Sequence, residues 1–576
     1  MSASQYVLHS SREPMANHFD FSTKQFCYIP DSNGSNYPNG TITFDLASLS
    51  NSGRYISWQE SHLVIPLIMN LNCATAGVLN QDYANVWSAS LKNGIYHILN
   101  SMSVEITNNQ VVNLTNFSNY PIHFKTLTSM SQDTQNNFGS TLHFAKDSAN
   151  SFSYQNALNG TGIGECNNVI TATLFNPNAA NNASYGTGMM SQNTGRLARM
   201  MNTSFNVDTG LAAGTPSPSA TYQNAQTCNT NYKNYCTISA NNITYYITAT
   251  IPMRIIHDIF DKLPLCRGMY TRLVLNTNCN SQAVMTMNAA ATQFTTVAVT
   301  SPNNVFPCQI SPIGGGLKVT SQPAAPVAQT LTLSLSIAKN QQLNFSHALT
   351  QCRIYACMYE MTPTMESSYL SAVPTKRILY NDYLNFQSLN IPAGQMNSQI
   401  LSVGVARPRY LLGIPTMSSQ INGSSIPASS TFTAVVGGQQ SAFAPASSPF
   451  SSVPATCSPL MRISNFNVLL SGVALYQENI NYSFQIFQNE IRSTMSLNGG
   501  IDLSLSSGLI DEVDYTNLYS YIFVDLSRQL NQSTDNIARS IQVIYTNNSL
   551  VSQDINWFVL YERELCLSTS TGALVI

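Results

Sequence analysis

The sequence predicts an all-β protein in which one sandwich or barrel is built twice. Short runs of alternating apolar and polar residues recur along its 576 residues, and turn signals close most of them. Helical periodicity is confined to a few stretches. Strands in the second half repeat strands in the first, in the same order.

Residues 1–38 carry no sustained period and end in the turn-rich DSNGSNYPNG, so an N-terminal arm is expected there. The run TITFDLA then alternates, with Ile42, Phe44 and Leu46 on one face. Residues 55–69 continue as a longer strand that Pro66 should interrupt. Leu99–Ile106 alternates again, Met102, Val104 and Ile106 facing inward, before a helix over about 120–130 whose stripe is Ile122, Leu127 and Met130. From about 147 to 232 the chain is rich in Asn, Ser, Thr, Ala and Gly, which cannot bury a continuous core. It reads as a long loop excursion packed into a protruding tower.

The stretch IPMRIIHDIFDKLPLCRGMYTRLVLNTN (251–278) reads as strand, short helix and strand. Ile255, Ile256, Ile259, Phe260 and Leu263 recur at helical spacing, while Arg254, Asp258, Asp261 and Lys262 fill the other face. Arg254 with Asp258, and Asp258 with Lys262, stand four apart and would add about 0.3–0.5 kcal/mol each on an exposed helix. Pro264 ends the helix, and 270–275 is a β-favouring run. Residues 281–327, with Gly314, Gly315 and Gly316, read as a second loop excursion. In the second half, 377–391 and 409–415 are strand-like, 417–458 is a Ser/Ala/Pro-rich loop, and strands resume at Arg462. Phe484, Phe487 and Ile491 form one helical stripe, and the chain closes on the strand WFVLYEREL.

Three pairs of segments suggest duplication. Met102, Val104 and Ile106 match Phe466, Val468 and Leu470 (466 against 102, an offset of 364). Val274, Leu275, Thr277 and Asn278 match Val543, Ile544, Thr546 and Asn547 (543 against 274, an offset of 269). Tyr355, Tyr359 and Glu360 match Trp557, Tyr561 and Glu562 (557 against 355, an offset of 202). The offset falls where the first half carries its two excursions, so a longer first copy accounts for the trend. The join is expected just after 353–361.

Only 9% of residues are charged, against about 25% in an average globular chain. A surface so poor in charge suits a subunit hidden in an assembly, because interface centres are depleted in Lys, Glu and Asp. A neutral, Asn/Ser/Thr-rich extracellular adhesin has the same composition. The net charge of −2 and the lack of a Lys/Arg block argue against direct binding to nucleic acid. The start, MSASQYVLHSSREPM, has no secretory pattern, and no apolar run reaches membrane-spanning length. A soluble protein made in the cytosol is expected. The 12 cysteines include no C-x-x-C pair, and Cys352 and Cys357 would point to opposite faces of one strand, so free and mostly buried thiols are expected.

No catalytic, cofactor-binding or metal-ligating residues are predicted. His257 beside Asp258 lacks an activated Ser or Cys partner and reads as a surface ion pair. The eight histidines form no ligand-spaced cluster. Gly314-Gly315-Gly316 lacks the rest of a phosphate-binding loop and reads as plain loop. Trp58, Trp87 and Trp557 read as core or interface anchors rather than sugar-stacking platforms. The glycosylation patterns at Asn113 and Asn481 follow from composition.

The pattern I-P-x-R-x-x-H-D-x-F-D-K-L-P followed by R-L-x-L-N-x-N resembles the major capsid proteins of virophages and polinton-like viruses. So do LKNGIYHILNSMSVEITNNQVV (91–112), ESSYLS (366–371), SPFSSVPATCSP (448–459), NGGIDLSLSSGLI (498–510) and SIQVIYTNNS (540–549), in the same order. The resemblance implies a double jelly roll: two tandem eight-stranded jelly-roll barrels with long loop insertions and a few short helices. The first would occupy 39–362 with insertions at 147–232 and 281–327, and the second 363–576 with an insertion at 417–458. It further implies a non-enzymatic major capsid protein, a homotrimer forming a pseudo-hexameric capsomer with six upright barrels. Such capsomers would tile an icosahedral virion shell around double-stranded DNA, beside neighbouring capsomers and penton and minor capsid proteins. The loops would face outward as towers. A receptor-binding spike and a minor capsid (vertex) protein are the competing readings.

Overall fold

The computed structural model describes residues 21–574, apart from 75–86, 148–235, 288–293, 313–329, 339–350, 419–444, 450–453, 493–507, 530–536 and the shorter breaks at 35, 114, 140, 239–241, 304, 373, 459–460 and 550–551. Sixteen strands organise it. In the first half they are β1 (Phe21–Pro30), β2 (Thr41–Asp45), β3 (Tyr55–Cys73), β4 (Leu99–Ile106), β5 (Asn109–Val112), β6 (Asn242–Pro252), β7 (Thr271–Thr277) and β8 (Arg353–Met361). In the second they are β9 (Thr375–Ile391), β10 (Met396–Val405), β11 (Pro408–Met417), β12 (Ile463–Leu470), β13 (Val473–Ala474), β14 (Ile522–Asp525), β15 (Arg539–Asn547) and β16 (Gln553–Ser568).

In the first half one sheet runs β1-β8-β3-β6 and the other β2-β7-β4-β5, every neighbour antiparallel. In the second half the orders are β9-β16-β11-β14 and β10-β15-β12-β13. Adding eight to each strand number converts one half into the other. The pairs β1 with β8, β2 with β7, β3 with β6 and β4 with β5 are those of one long hairpin wound into two facing sheets. This is the eight-stranded jelly roll, present twice. Between Met361 and Thr375 lies the helix Pro363–Ala372.

Local alternation puts the strands on their sheets. Ile42 and Phe44, Leu273 and Leu275, and Met102 and Val104 are all buried, with polar or half-buried residues between them. The first repeat pair falls on equivalent strands, β4 and β12, and its six side chains are buried in both. Register confirms it: Val104 opposes Leu273 as Val468 opposes Val543, and Ile106 opposes Thr271 as Leu470 opposes Ile541. Those partners differ by 270 (543 against 273), so the expected offset of 269 selects the right strands, β7 and β15, but slips one residue. Half-buried Val274 is thereby laid on fully buried Val543. The third pair also lies on equivalent strands, β8 and β16, yet Tyr355 is half-buried and stacks on His62 (5.1 Å between rings), whereas Trp557 is in the second core.

Four expectations are corrected. The segment 1–38 is not all arm, because β1 is the edge strand of the first sheet. Its burial is so slight that no periodicity marked it. Residues 281–327 contain the strands Ser281–Met287, Phe294–Thr300 and Cys308–Pro312, and the first two extend the sheet beyond β3 through Thr330–Ile337. Pro66 does not interrupt β3. It sits where the partner changes, β8 pairing up to Val64 and Thr330–Ile337 from Leu67 onward, so its missing N–H falls in a gap in the ladder. The single helix expected over 254–263, downstream of α1 (Asn119–Ser129), is two short ones broken at His257, α2 (Met253–Ile256) and α3 (Asp258–Lys262). The excursion expected at 147–232 and the triple glycine at 314–316 lie outside the described residues, Asp147 apart.

Candidate functional site

The sheet β9-β16-β11-β14 is apolar on both faces. Leu411, Ile522, Val524, Ile555, Trp557 and Val559 point into the second sandwich. Their chain neighbours Tyr410, Leu412, Ile414, Phe523, Phe558 and Leu560 belong to the core of the first. Strand periodicity places successive side chains on opposite faces, so an unbroken apolar run is what a sheet sandwiched between two cores requires. Gly413 opposes Trp557, and a Cβ there would stand 2.6 Å from the indole ring. The missing side chain lets that ring lie flat against the sheet.

The helix Asn119–Ser129 of the first half covers the outer face. Phe124 stacks on Phe523 (5.4 Å) and meets Tyr521 edge-on (5.1 Å), while Tyr120 meets Phe558 edge-on (6.4 Å). At its C-terminal end, Leu509 N–H donates to the Leu127 carbonyl (2.8 Å), and Gly508 (φ +71) approaches so closely that a Cβ would lie 2.4 Å from the Thr128 oxygen. Parts of the expected 417–458 loop pack here too. The Lys92 ammonium donates to the carbonyls of Pro445 (2.5 Å) and Ala446 (3.0 Å), and Ile310 N–H to that of Pro449 (2.7 Å).

A polar lock centres on Asp382, which is 1% exposed. It is carried by β9 of the second sandwich. Its Oδ2 accepts from Arg563 Nη1 (3.1 Å) and the Tyr561 hydroxyl (3.3 Å), both on β16, and from Asn113 N–H (3.4 Å) of the first half. Its Oδ1 accepts from Tyr383 N–H (2.9 Å). His257 Nε2 lies 3.5 Å from Oδ1. The Nδ1 of that ring accepts from Ile259 N–H (3.2 Å), so the proton resides on Nε2 and faces the carboxylate. Arg563 also donates to the Val111 carbonyl (2.8 Å), and Thr115 Oγ1 to the Tyr383 carbonyl (2.9 Å). Burial pushes the Asp382 carboxyl up, but the donors His257, Tyr383 and Arg563 outweigh it and hold the group below its ordinary value.

His257 and Asp258 are therefore not the surface ion pair expected. His257 is 3% exposed, and extended backbone at that residue (φ −155) turns its ring inward, while Asp258 Oδ2 accepts from Asn381 N–H (3.0 Å). Trp58 and Trp557 are core residues, and Asn113 Nδ2 donates to the Tyr561 hydroxyl (3.0 Å). Sequence reading missed Asp382 and Arg563. The signal was there in outline, since Asp382 occupies the face of β9 that carries Tyr380, a position where a charge needs a partner. The arrangement fixes one sandwich against the other.

No helix among the described residues is long and apolar enough to cross a membrane. No family model matches the sequence, and neither does any curated protein. Among solved structures, the Sputnik virophage structure is similar over 98% of this chain and 91% of its own, at 12% identity and a TM-score of 0.47. The mavirus major capsid protein is similar over 98% and 92% at 12% identity and 0.41, and the Faustovirus major capsid protein over 97% and 93% at 9% identity and 0.41.

Proposed function

We propose that the chain is the major subunit of a viral capsid, and that its task is geometric. The observation that carries this reading is the fusion of two jelly rolls of identical strand order through one shared core and a buried ion cluster. A chain holding two equivalent upright units presents two near-equal sides, so three chains closing about a threefold axis make a pseudo-hexagonal tile. Such tiles pack into an icosahedral shell, with the genome inside contacted by other means than a basic patch. On this reading the first unit begins at Phe21 rather than at 39, and the division falls at the helix Pro363–Ala372. The sparse charge of the sequence suits surfaces that end up between subunits.

The test is the mass of the purified protein in solution. A species of three times 62.9 kDa supports the reading, and a strict monomer at micromolar concentration or above counts against it.

A further inference from the structure

Duplication gives each surface of one half a counterpart on the other. The junction inside the chain has a receiving side, the outer face of β9-β16-β11-β14, and a covering side, the first-half segment running from β5 into α1. On the covering side Val111 and Thr115 are at most 6% exposed, the Val111 carbonyl accepts from the Tyr380 hydroxyl (2.5 Å), and Thr115 reaches the Tyr383 carbonyl. Among the described residues, the counterparts of both sides are open.

The counterpart of the receiving side is the outer face of β1-β8-β3-β6. There Tyr28, Tyr355, His62 and Pro252 oppose one another in a row across the four strands, and the Phe26 ring stands 5.7 Å from that of His62. Phe26 is 50% exposed and Tyr28 55%, whereas Phe558, Leu412 and Phe523, a row on the matching sheet, lie buried beneath α1. Open aromatic surface of this kind marks a contact with another protein. The counterpart of the covering side is the segment after β13. Leu475 N–H donates to the Val468 carbonyl (2.8 Å) as Val112 opposes Val104, so Glu478 takes the place of Thr115 (478 against 475, as 115 against 112). Val473 is 60% exposed, and Gln477, Glu478 and Asn479 are exposed too.

We propose that the two open sides meet between copies, residues 473–483 of one chain covering Phe26, Tyr28 and Tyr355 of the next, so that the contact between chains repeats the junction within each. A second copy is the occupant because it carries the covering side that the duplication matches to this face. Charge agrees. Lys24 opposes Tyr359 as Asp382 opposes Tyr561, so the register that seats Thr115 beside Asp382 seats Glu478 beside Lys24, an exposed cation that also pairs with Glu60. The two surfaces differ, so the contact is head-to-tail, and such contacts build rings when the rotation closes. The inference rests on the shell reading above and names the surfaces through which it works.

The test uses the full-length protein and two variants, Phe26→Lys and Glu478→Lys, each changing one exposed side chain on opposite sides of the contact. Sedimentation should give trimers for the natural chain, and each variant should need about tenfold more protein, or above, to assemble. Mixed in equal amounts, the variants should form one-to-one pairs, because each keeps one of the two sides intact. Hydrogen exchange in the natural protein should slow on assembly at 21–30 and 473–483. Full assembly of both variants, a mixture that behaves as the sum of its parts, or protection confined to other segments would each overturn the inference, while a natural trimer would leave the shell reading standing. A natural chain that stays monomeric overturns both. If Phe26→Lys fails to fold, Glu478→Lys and the exchange map still decide.

Discussion

Asp382 and Arg563 face each other at 3.1 Å across β9 and β16, and the same guanidinium reaches the Val111 carbonyl of the other sandwich at 2.8 Å. One cation thus neutralises a buried carboxylate and bonds backbone of the opposite half. Asp382 is almost fully buried, while the Arg563 side chain is 28% exposed.

Replacing Arg563 by Met leaves the carboxylate buried without its main charge partner. Such a loss typically costs about 3–5 kcal/mol, and denaturant unfolding should register it. The double variant Arg563→Met with Asp382→Leu removes both charges and should recover most of the loss. Failure to recover would mean that the pair acts through more than its charge.

Acid should weaken the same junction. Folded Asp382 holds its proton more weakly than the unfolded chain does, so its contribution is complete above the unfolded value of about 3.9. It is lost as pH falls through the lowered folded value. Melting temperature against pH should therefore decline more steeply below about pH 4 in the natural protein than in Asp382→Asn. Parallel curves would remove Asp382 from the account.

The shared core predicts coupling between halves. Phe124→Ala opens a cavity against Phe523 and Tyr521 and should cost about 3–5 kcal/mol, with faster hydrogen exchange in Ile522–Asp525 of the other half. Gly413→Ala forces a methyl toward the Trp557 ring and should destabilise by about 1–3 kcal/mol while shifting tryptophan fluorescence. For Phe124→Ala, a change confined to the first half would contradict a common core.

Much of this fold was legible in the sequence. Alternation marks β2, β4 and β7 because each has one buried and one open face, and the β4–β12 repeat survives because both strands bury the same positions. β1 was not legible, being exposed nearly all round. The His257 break was hidden because α2 and α3 share an apolar stripe that reads as one helix. The lock was hidden for a different reason: Asp382 and Arg563 lie 181 residues apart, and pairing them requires the strand order, which periodicity does not contain.

Thiol chemistry supplies an independent check on packing. Burial pushes Cys279 up to about 12 and raises Cys308, Cys352 and Cys457 as well. Among the described cysteines, Cys27 and Cys566 are the half-buried ones. Brief alkylation of the native protein followed by mass spectrometry should label those two before the other described cysteines, and early labelling of Cys352 or Cys457 would mean that the cores are open.

The most direct measurement for the central proposal is negative-stain microscopy of the purified chain. Class averages with threefold symmetry and a hexagonal outline, six lobes from three polypeptides, are the predicted result. Averages showing isolated two-lobed particles, or rings with a different number of chains, would contradict it.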